Sequence, residues 1–170
     1  PADNTLAFGT ANEERMRIDS SGRLMLGTTT NGVSGAEQFT VASSGNTGIT
    51  IRAGASSGSA IYMSDATSGS GEYAGYISYS HGSNAMTFAS NSSERMRIDS
   101  SGNLLVGTTS SNYGAVGTQI GTGGNNYMTR SAAQPLLLNR LSSDGDILLL
   151  MKDGTSVGSI GATGGNTFIY

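Results

Sequence analysis

Apolar and polar side chains alternate along this chain in short runs, and small clusters of Gly, Ser, Asp and Asn separate the runs. In Arg15-Met16-Arg17-Ile18-Asp19 the two apolar residues fall on one side of an extended strand and the three charged ones on the other, because successive strand side chains point to opposite faces. After Asp19-Ser20-Ser21-Gly22, Leu24 and Leu26 can rejoin the face of Met16 and Ile18. An Asp at the start of such a turn accepts backbone hydrogen bonds, and a Gly at its end can take a positive φ. The pattern predicts a β-hairpin, and helical periodicity is nearly absent from the rest of the chain.

The same hairpin is written twice. Glu14–Thr29 reads ERMRIDSSGRLMLGTT and Glu94–Thr109 reads ERMRIDSSGNLLVGTT, an offset of 80 with three positions changed. Asn103 stands for Arg23, Leu105 for Met25 and Val106 for Leu26, so the turn residues Asp19 and Gly22 recur as Asp99 and Gly102. The apolar set Met16, Ile18, Leu24 and Leu26 recurs as Met96, Ile98, Leu104 and Val106, and these eight residues are the expected buried face. Upstream, Leu6 and Phe8 match Met86 and Phe88, each pair preceded by an Asn, and Asn166, Phe168 and Tyr170 begin the pattern again with a displacement of two. The chain is read as one fibre repeat unit over 1–80 and a second over 81–170 with the start of a further unit, an excerpt of a longer fibre or a fragment with a truncated end.

Between the copies, Gln38–Val41, Gly48–Arg52, Ala60–Ser64 and Gly75–Tyr79 read as short strands, as do Tyr127–Thr129, Pro135–Asn139, Asp146–Met151 and Ser156–Ile160 later on. Ile147–Met151 is apolar on both faces, and a return of about 25 cal/mol per Å² favours covering both. With 26 Gly in 170 residues and 12% charged residues, the chain has side chains too small for a thick core, which points to thin layers buried between chains. A solenoid would show a uniform repeat of about 20 to 30 residues, unlike this one. The expected fold is therefore all-β: an elongated, repeat-built fibre, an intertwined or side-by-side homotrimer of short antiparallel strands and hairpins. A solenoid is the second choice and a sandwich the third.

Charge removes several functions. A net charge of -3 without a basic run does not suit nucleic acid, and no apolar run of about 18 residues predicts membrane insertion. With no Cys, and with His81 lacking a His or Cys partner at ligand spacing, neither a metal site nor a cofactor is expected; an axial ion held by one His from each of three chains is the one open case. Asp144, Asp146 and Asp153, or Asp65 and Glu72, suggest a glycosidase pair, but Asp144-Gly145 and Asp153-Gly154 are ordinary hairpin turns, and no enzyme is expected. Glu14, Arg15 and Arg17, with their copies, read as a structural charged face. Tyrosines gather in the unrepeated stretch Gly58–Gly82, where Tyr62, Tyr73, Tyr76 and Tyr79 lie. Tyr62, Tyr73 and Tyr79 meet Ser142, Asp153 and Ser159 at the repeat offset, so they are the candidate receptor contact, with packing between subunits as the alternative.

ERMRIDSSGNLLVGTT, NRLSSDGDILLLMKDGTSVGSIG (Asn139–Gly161) and the Asn-aromatic pattern resemble the repeated shaft and distal segments of tailed-phage tail fibres and tailspikes, of the kind associated with an intramolecular endosialidase-type chaperone. The resemblance implies a homotrimeric, β-rich virion component that works outside the cell, contacts other tail proteins and attaches the particle to the host surface. The chaperone's Ser/Lys self-cleavage pair is not found in this sequence, so self-cleavage is not implied. The expected function is a structural tail-fibre segment supporting attachment; the alternatives are a carbohydrate-binding module that meets a host-surface glycan and a tailspike polysaccharide depolymerase.

Overall fold

The computed structural model describes residues 4–169, and these form an all-β chain with a single short 3-10 helix. Two compact units divide at Arg52/Ala53. The first holds one sheet, in the order β1 (Leu6–Thr10), β2 (Glu13–Ile18), β3 (Leu24–Leu26), β4 (Phe39–Val41). The second holds a seven-stranded sheet and a three-stranded sheet. The larger is built from β5 (Gly58–Met63), β6 (Gly75–Ser80), β7 (Ala85–Ser90), β8 (Ser93–Ile98), β9 (Leu104–Val106), β10 (Gly117–Ile120) and β11 (Asn126–Thr129), each beside its sequence neighbour. The smaller is β12 (Gly145–Lys152), β13 (Thr155–Thr163) and β14 (Asn166–Ile169). Every pair is antiparallel except β3 with β4. Tyr170, expected to continue the last alternating run, lies outside the described residues.

The predicted hairpin turns form through the residues named for them. Asp19 Oδ1 accepts from the backbone N–H of Ser21 at 2.9 Å and of Arg23 at 3.0 Å, and Gly22 takes φ 78°. Asp99 Oδ1 accepts from Ser101 and Asn103 at 2.9 Å each, and Gly102 takes φ 83°. The repeat extends one strand further back than the matched sequence. Leu6 pairs with Ile18 and Phe8 with Met16, as Met86 pairs with Ile98 and Phe88 with Met96. The two-residue turns that join these strands, Ala11-Asn12 and Asn91-Ser92, have both residues at positive φ, the geometry that matches the twist of a tight hairpin.

Simple alternation fails at one point in each copy. Phe8 faces Met16 but Gly9 faces Glu14, so β2 carries an extra residue at Arg15, and β8 carries the same bulge at Arg95. Glu14 and Arg17, three apart, are thereby brought to one face, where Arg17 Nη2 donates to Glu14 Oε2 at 2.7 Å; Arg97 and Glu94 repeat the pair at 2.6 Å. The arginines therefore fix the bulge within their own strand, and the shared side expected for Arg15, Arg17 and Asp19 does not continue back to an unbroken alternation.

Burial within the single chain falls on other positions. Large fully buried side chains occur at one repeated position, Met25 and Leu105, on the charged face of the hairpin. Leu105 stands in register between Arg97 and Gln119, and Met25 between Arg17 and Thr40, so each has a cross-strand neighbour on both sides. The eight residues expected to be buried are half-buried or exposed in the single chain. The reason is that, among the described residues of each unit, no second layer packs on the sheet face they occupy. Gly48–Arg52 and Pro135–Asn139, read as strands, join no sheet among the described residues; their side-chain pattern favours extension, but a strand also needs a neighbour in register. The Ile147–Met151 strand forms within β12, and Leu148 to Met151 are exposed.

Candidate functional site

Register assigns every residue of the seven-stranded sheet to one of two faces, since directly paired residues share a face. One face carries Ile61, Ile77, Phe88, Met96, Val106, Thr118 and Met128 in a single row across all seven strands. The next row on that face is Ser59, Tyr79, Met86, Ile98, Leu104, Ile120 and Asn126. Ile61 is 55% exposed and Ile120 51% exposed. The first unit presents the same kind of face, Leu6, Ile18, Leu24 and Phe39 in one row and Phe8, Met16, Leu26 and Val41 in the other. Small monomers rarely expose contiguous apolar patches above a few hundred Å², so a row that is apolar on six of its seven strands, with Thr118 on the other, marks an interaction surface.

The opposite face runs Ala60, Ser78, Thr87, Arg97, Leu105, Gln119, Tyr127, with Tyr62, Tyr76, Ala89 and Glu94 in the neighbouring row. Tyr62 and Tyr76 are directly paired across β5 and β6, with ring centroids 5.7 Å apart at 54°. Tyr73 reaches them from the 3-10 helix Gly69–Tyr73 in the β5–β6 connection. That connection is pinned: Ser64 Oγ donates to Ala66 O at 2.7 Å and to Gly71 O at 3.1 Å, and Ser92 Oγ donates to Ser70 O at 2.8 Å. The result is an open concavity of about 460 Å³ lined by Tyr62, Glu72, Tyr73 and Tyr76. Three aromatic rings and one carboxylate suit the apolar faces and hydroxyls of a sugar.

Compared with protein-family models, curated proteins and solved structures, the chain matches none of them. Its chemistry has to be taken from the two faces themselves.

Of the tyrosines singled out from the sequence, Tyr62 and Tyr73 come together and Tyr79 does not join them. Tyr79 sits on the apolar face between Ser59 and Met86, edge-on to His81 at 5.1 Å, and its hydroxyl donates to Asn84 Oδ1 at 3.2 Å. Tyr76 takes the third place in the concavity. Alternation carried that signal, because Tyr76 and Tyr79, three apart in one strand, must face opposite ways. Glu72 enters through the 3-10 helix, which no periodicity announced. Among the described residues, no cluster of three His, Cys, Asp or Glu could hold a metal ion, and no helix is long and apolar enough to cross a membrane.

The turn carboxylates are electrostatically set. The side-chain hydrogen bond from Arg23, at 2.7 Å, is the main influence holding Asp19 below its ordinary pKa, aided by the Arg23 and Ser21 backbone N–H groups. For Asp99, burial is the largest influence and acts upward. It is outweighed by the hydrogen bonds from the Asn103 side chain and from the Asn103 and Ser101 backbones, so Asp99 too lies below its ordinary value. These groups stabilise turns, and their geometry is structural.

Proposed function

We propose that this chain is a structural segment of a phage tail fibre, that it works as a homotrimer, and that it supports attachment of the virion to a host surface. The observation that carries this reading is the apolar face left uncovered on both copies of the repeated unit. The chain exposes 12186 Å², whereas compact domains of this total mass expose about 9,000 Å² even when counted as two separate units. Seven strands span about 29 Å, and two residue rows give an apolar band of about 400 Å² per chain. Covering it is worth about 10 kcal/mol per chain before the costs of ordering and association. Association with identical chains covers every such face with one kind of contact. The number three, and the setting in a tail fibre, come from the resemblance of the repeated hairpin and of Asn139–Gly161 to fibre shafts.

The decisive measurement is mass in solution by light scattering, with electron microscopy of the same sample. The expected outcome is a trimeric rod, and a well-folded monomer at micromolar concentration would sink the proposal. Ile98→Asp together with Ile120→Asp places charges in the apolar rows and is expected to dissociate the assembly.

A second reading, a carbohydrate-binding module, is favoured by the Tyr62, Tyr73 and Tyr76 concavity. Tyr62→Ser with Tyr73→Ser is expected to leave the assembly intact and weaken adsorption to host cells. A folding defect without a separate binding defect would instead assign those rings to packing.

A further inference from the structure

A second recess lies at the other end of the same polar face, where the sequence pointed to nothing. It measures about 310 Å³ and is lined chiefly by Asn103, Asn112, Gln119, Asn125, Tyr113 and Tyr127. Gln119 and Tyr127 are a direct cross-strand pair, and the Tyr113 ring stands 6.5 Å from that of Tyr127 at 59°. The loop carrying Tyr113 is tied to the sheet, since Thr129 Oγ1 donates to Tyr113 O at 3.0 Å. The recess is thus a built feature with two aromatic rings and a bed of amides.

One observation points to an occupant. Gln119 is only 8% exposed, and its Oε1 is buried without a hydrogen-bond partner. A buried carbonyl oxygen left unpaired costs about 1–3 kcal/mol, so its retention calls for a donor that the chain itself does not provide. Asn103 and Asn112 are oriented by bonds of their own. Asn103 donates to Asp99 Oδ2 at 2.9 Å and accepts from Thr122 N at 3.1 Å, while Asn112 Oδ1 accepts from Gly114 N at 2.9 Å. Among the described residues, no Lys, Arg, Asp or Glu lines the recess. A carboxylated, sulfated or amine-bearing ligand would find no countercharge there, whereas hydroxyl groups find amide donors and acceptors and C–H faces find tyrosine rings.

We propose that this recess binds a neutral saccharide, with the Gln119 amide turning out of its buried position so that a sugar hydroxyl donates to Oε1, and a sugar face resting against Tyr113 and Tyr127. The volume is at the small end of the ~300–1,000 Å³ typical of ligand pockets, which selects a terminal sugar over a long polymer stretch. The recess lies on the face opposite the apolar rows, so assembly leaves that face of the sheet available. This inference deepens the attachment role by giving it a second site, and it does not require three chains.

The test uses the full chain and saturation-transfer NMR with glucose, galactose, mannose and N-acetylglucosamine at millimolar concentration. Glucosamine and N-acetylneuraminic acid serve as the charged comparison. At least one neutral sugar is expected to bind, with the charged pair at least tenfold weaker. Gln119→Leu and Tyr113→Ser are each expected to weaken that binding at least tenfold, while Lys152→Ala, on the separate three-stranded sheet, leaves it unchanged. Gln119→Leu also has an independent readout: removing an unpaired oxygen should leave the melting temperature equal or raised, whereas a glutamine with a purely structural role would lower it. Absence of binding by all four neutral sugars overturns the proposal, as does binding that Tyr113→Ser leaves intact or that charged sugars match. Mass measured on the same sample separates the two readings. A trimer that binds no sugar refutes this inference alone, and a monomer that binds sugar refutes the assembly alone.

Discussion

From Leu6 to Leu26 and from Met86 to Val106 the chain folds through the same three strands in the same registers, with the same bulge and the same turns. The fourth strand is where the copies part. In the first copy β4 lies parallel to β3 and sets Thr40 beside Met25; in the second β10 lies antiparallel to β9 and sets Gln119 beside Leu105. The turn differs as well. Arg23 Nη2 meets Asp19 at 2.6 Å and, with the Asn31 amide turned so that its oxygen faces the guanidinium, Nη1 donates to it at 2.8 Å. Asn103 is shorter and uncharged, and the place beside it is the amide-lined recess. The comparison teaches that a locally complete motif folds alike in two surroundings, while the strand added beside it and the Arg23/Asn103 exchange at its rim together set whether the polar face carries an ion pair or a recess.

The largest expected effect comes from the parallel strand. A Cβ on Gly27, at φ 73°, would stand 2.2 Å from Ala42 O, whereas its counterpart Gly107, at φ 70°, has nothing within 4 Å. Gly27→Ala should cost about 3 kcal/mol or more, and Gly107→Ala about 1 kcal/mol from backbone strain alone. Denaturant midpoints measure both, and equal losses would show that the two copies end alike. Next come the turn glycines. Gly22→Val should cost about 1–3 kcal/mol through its left-handed backbone. Gly102→Val should cost more, because its Cβ also meets Thr122 Cγ2 at 3.0 Å while Gly22 has open space.

A smaller effect separates the tight turns. Ala11 holds φ 55° where Asn91, at 52°, has a side chain that tolerates that region. Ala11→Gly should therefore stabilise by about 0.5–1 kcal/mol, and Asn91→Ala should destabilise, both read from thermal unfolding.

The smallest effect is in acid. Asp19 and Asp99 titrate below the ordinary 3.8 in the folded chain, so both carboxylates resist protonation more when folded than when unfolded. Their contribution is complete above 3.8 and is lost as the pH falls through the lower folded values. Asp19→Asn and Asp99→Asn should each flatten that acid loss. High salt should soften the Asp19–Arg23 contribution and leave the Asp99–Asn103 one nearly untouched, because only the first is an ion pair.

Much of this was legible in the residues. Asp19 and Gly22 announced their turn, and Met16, Ile18, Leu24 and Leu26 announced a common face, because turn chemistry and alternation are local. The extra residue at Arg15 was hidden, since a bulge changes the register between two strands without changing either strand's composition. The bed of Met25 and Leu105 was hidden for a related reason: burial there depends on neighbours such as Gln119, whose strand has no alternation strong enough to announce it. The Tyr62–Tyr76 pair needed the cross-strand register on either side of a long connection. Gln119 carried no signal, as an amide becomes informative only once its surroundings leave it without a partner.

Strict alternation gives the sheet the property of a reading frame, and the bulges at Arg15 and Arg95 each hold one residue outside that count. Removing Arg95 would close the bulge and leave Met96 opposite Phe88 and Glu94 opposite Ala89, whereas removing a regularly paired residue such as Arg97 would shift one side of β8 by a single position and turn its apolar side chains toward the polar face. Two residues gained or lost restore the phase. Length changes in such a chain are therefore filtered by parity within the strands and are free only in the connections, which are also the segments that carry Tyr73 and Tyr113. Variation in the parts that meet the outside world is in this way uncoupled from the frame that holds them.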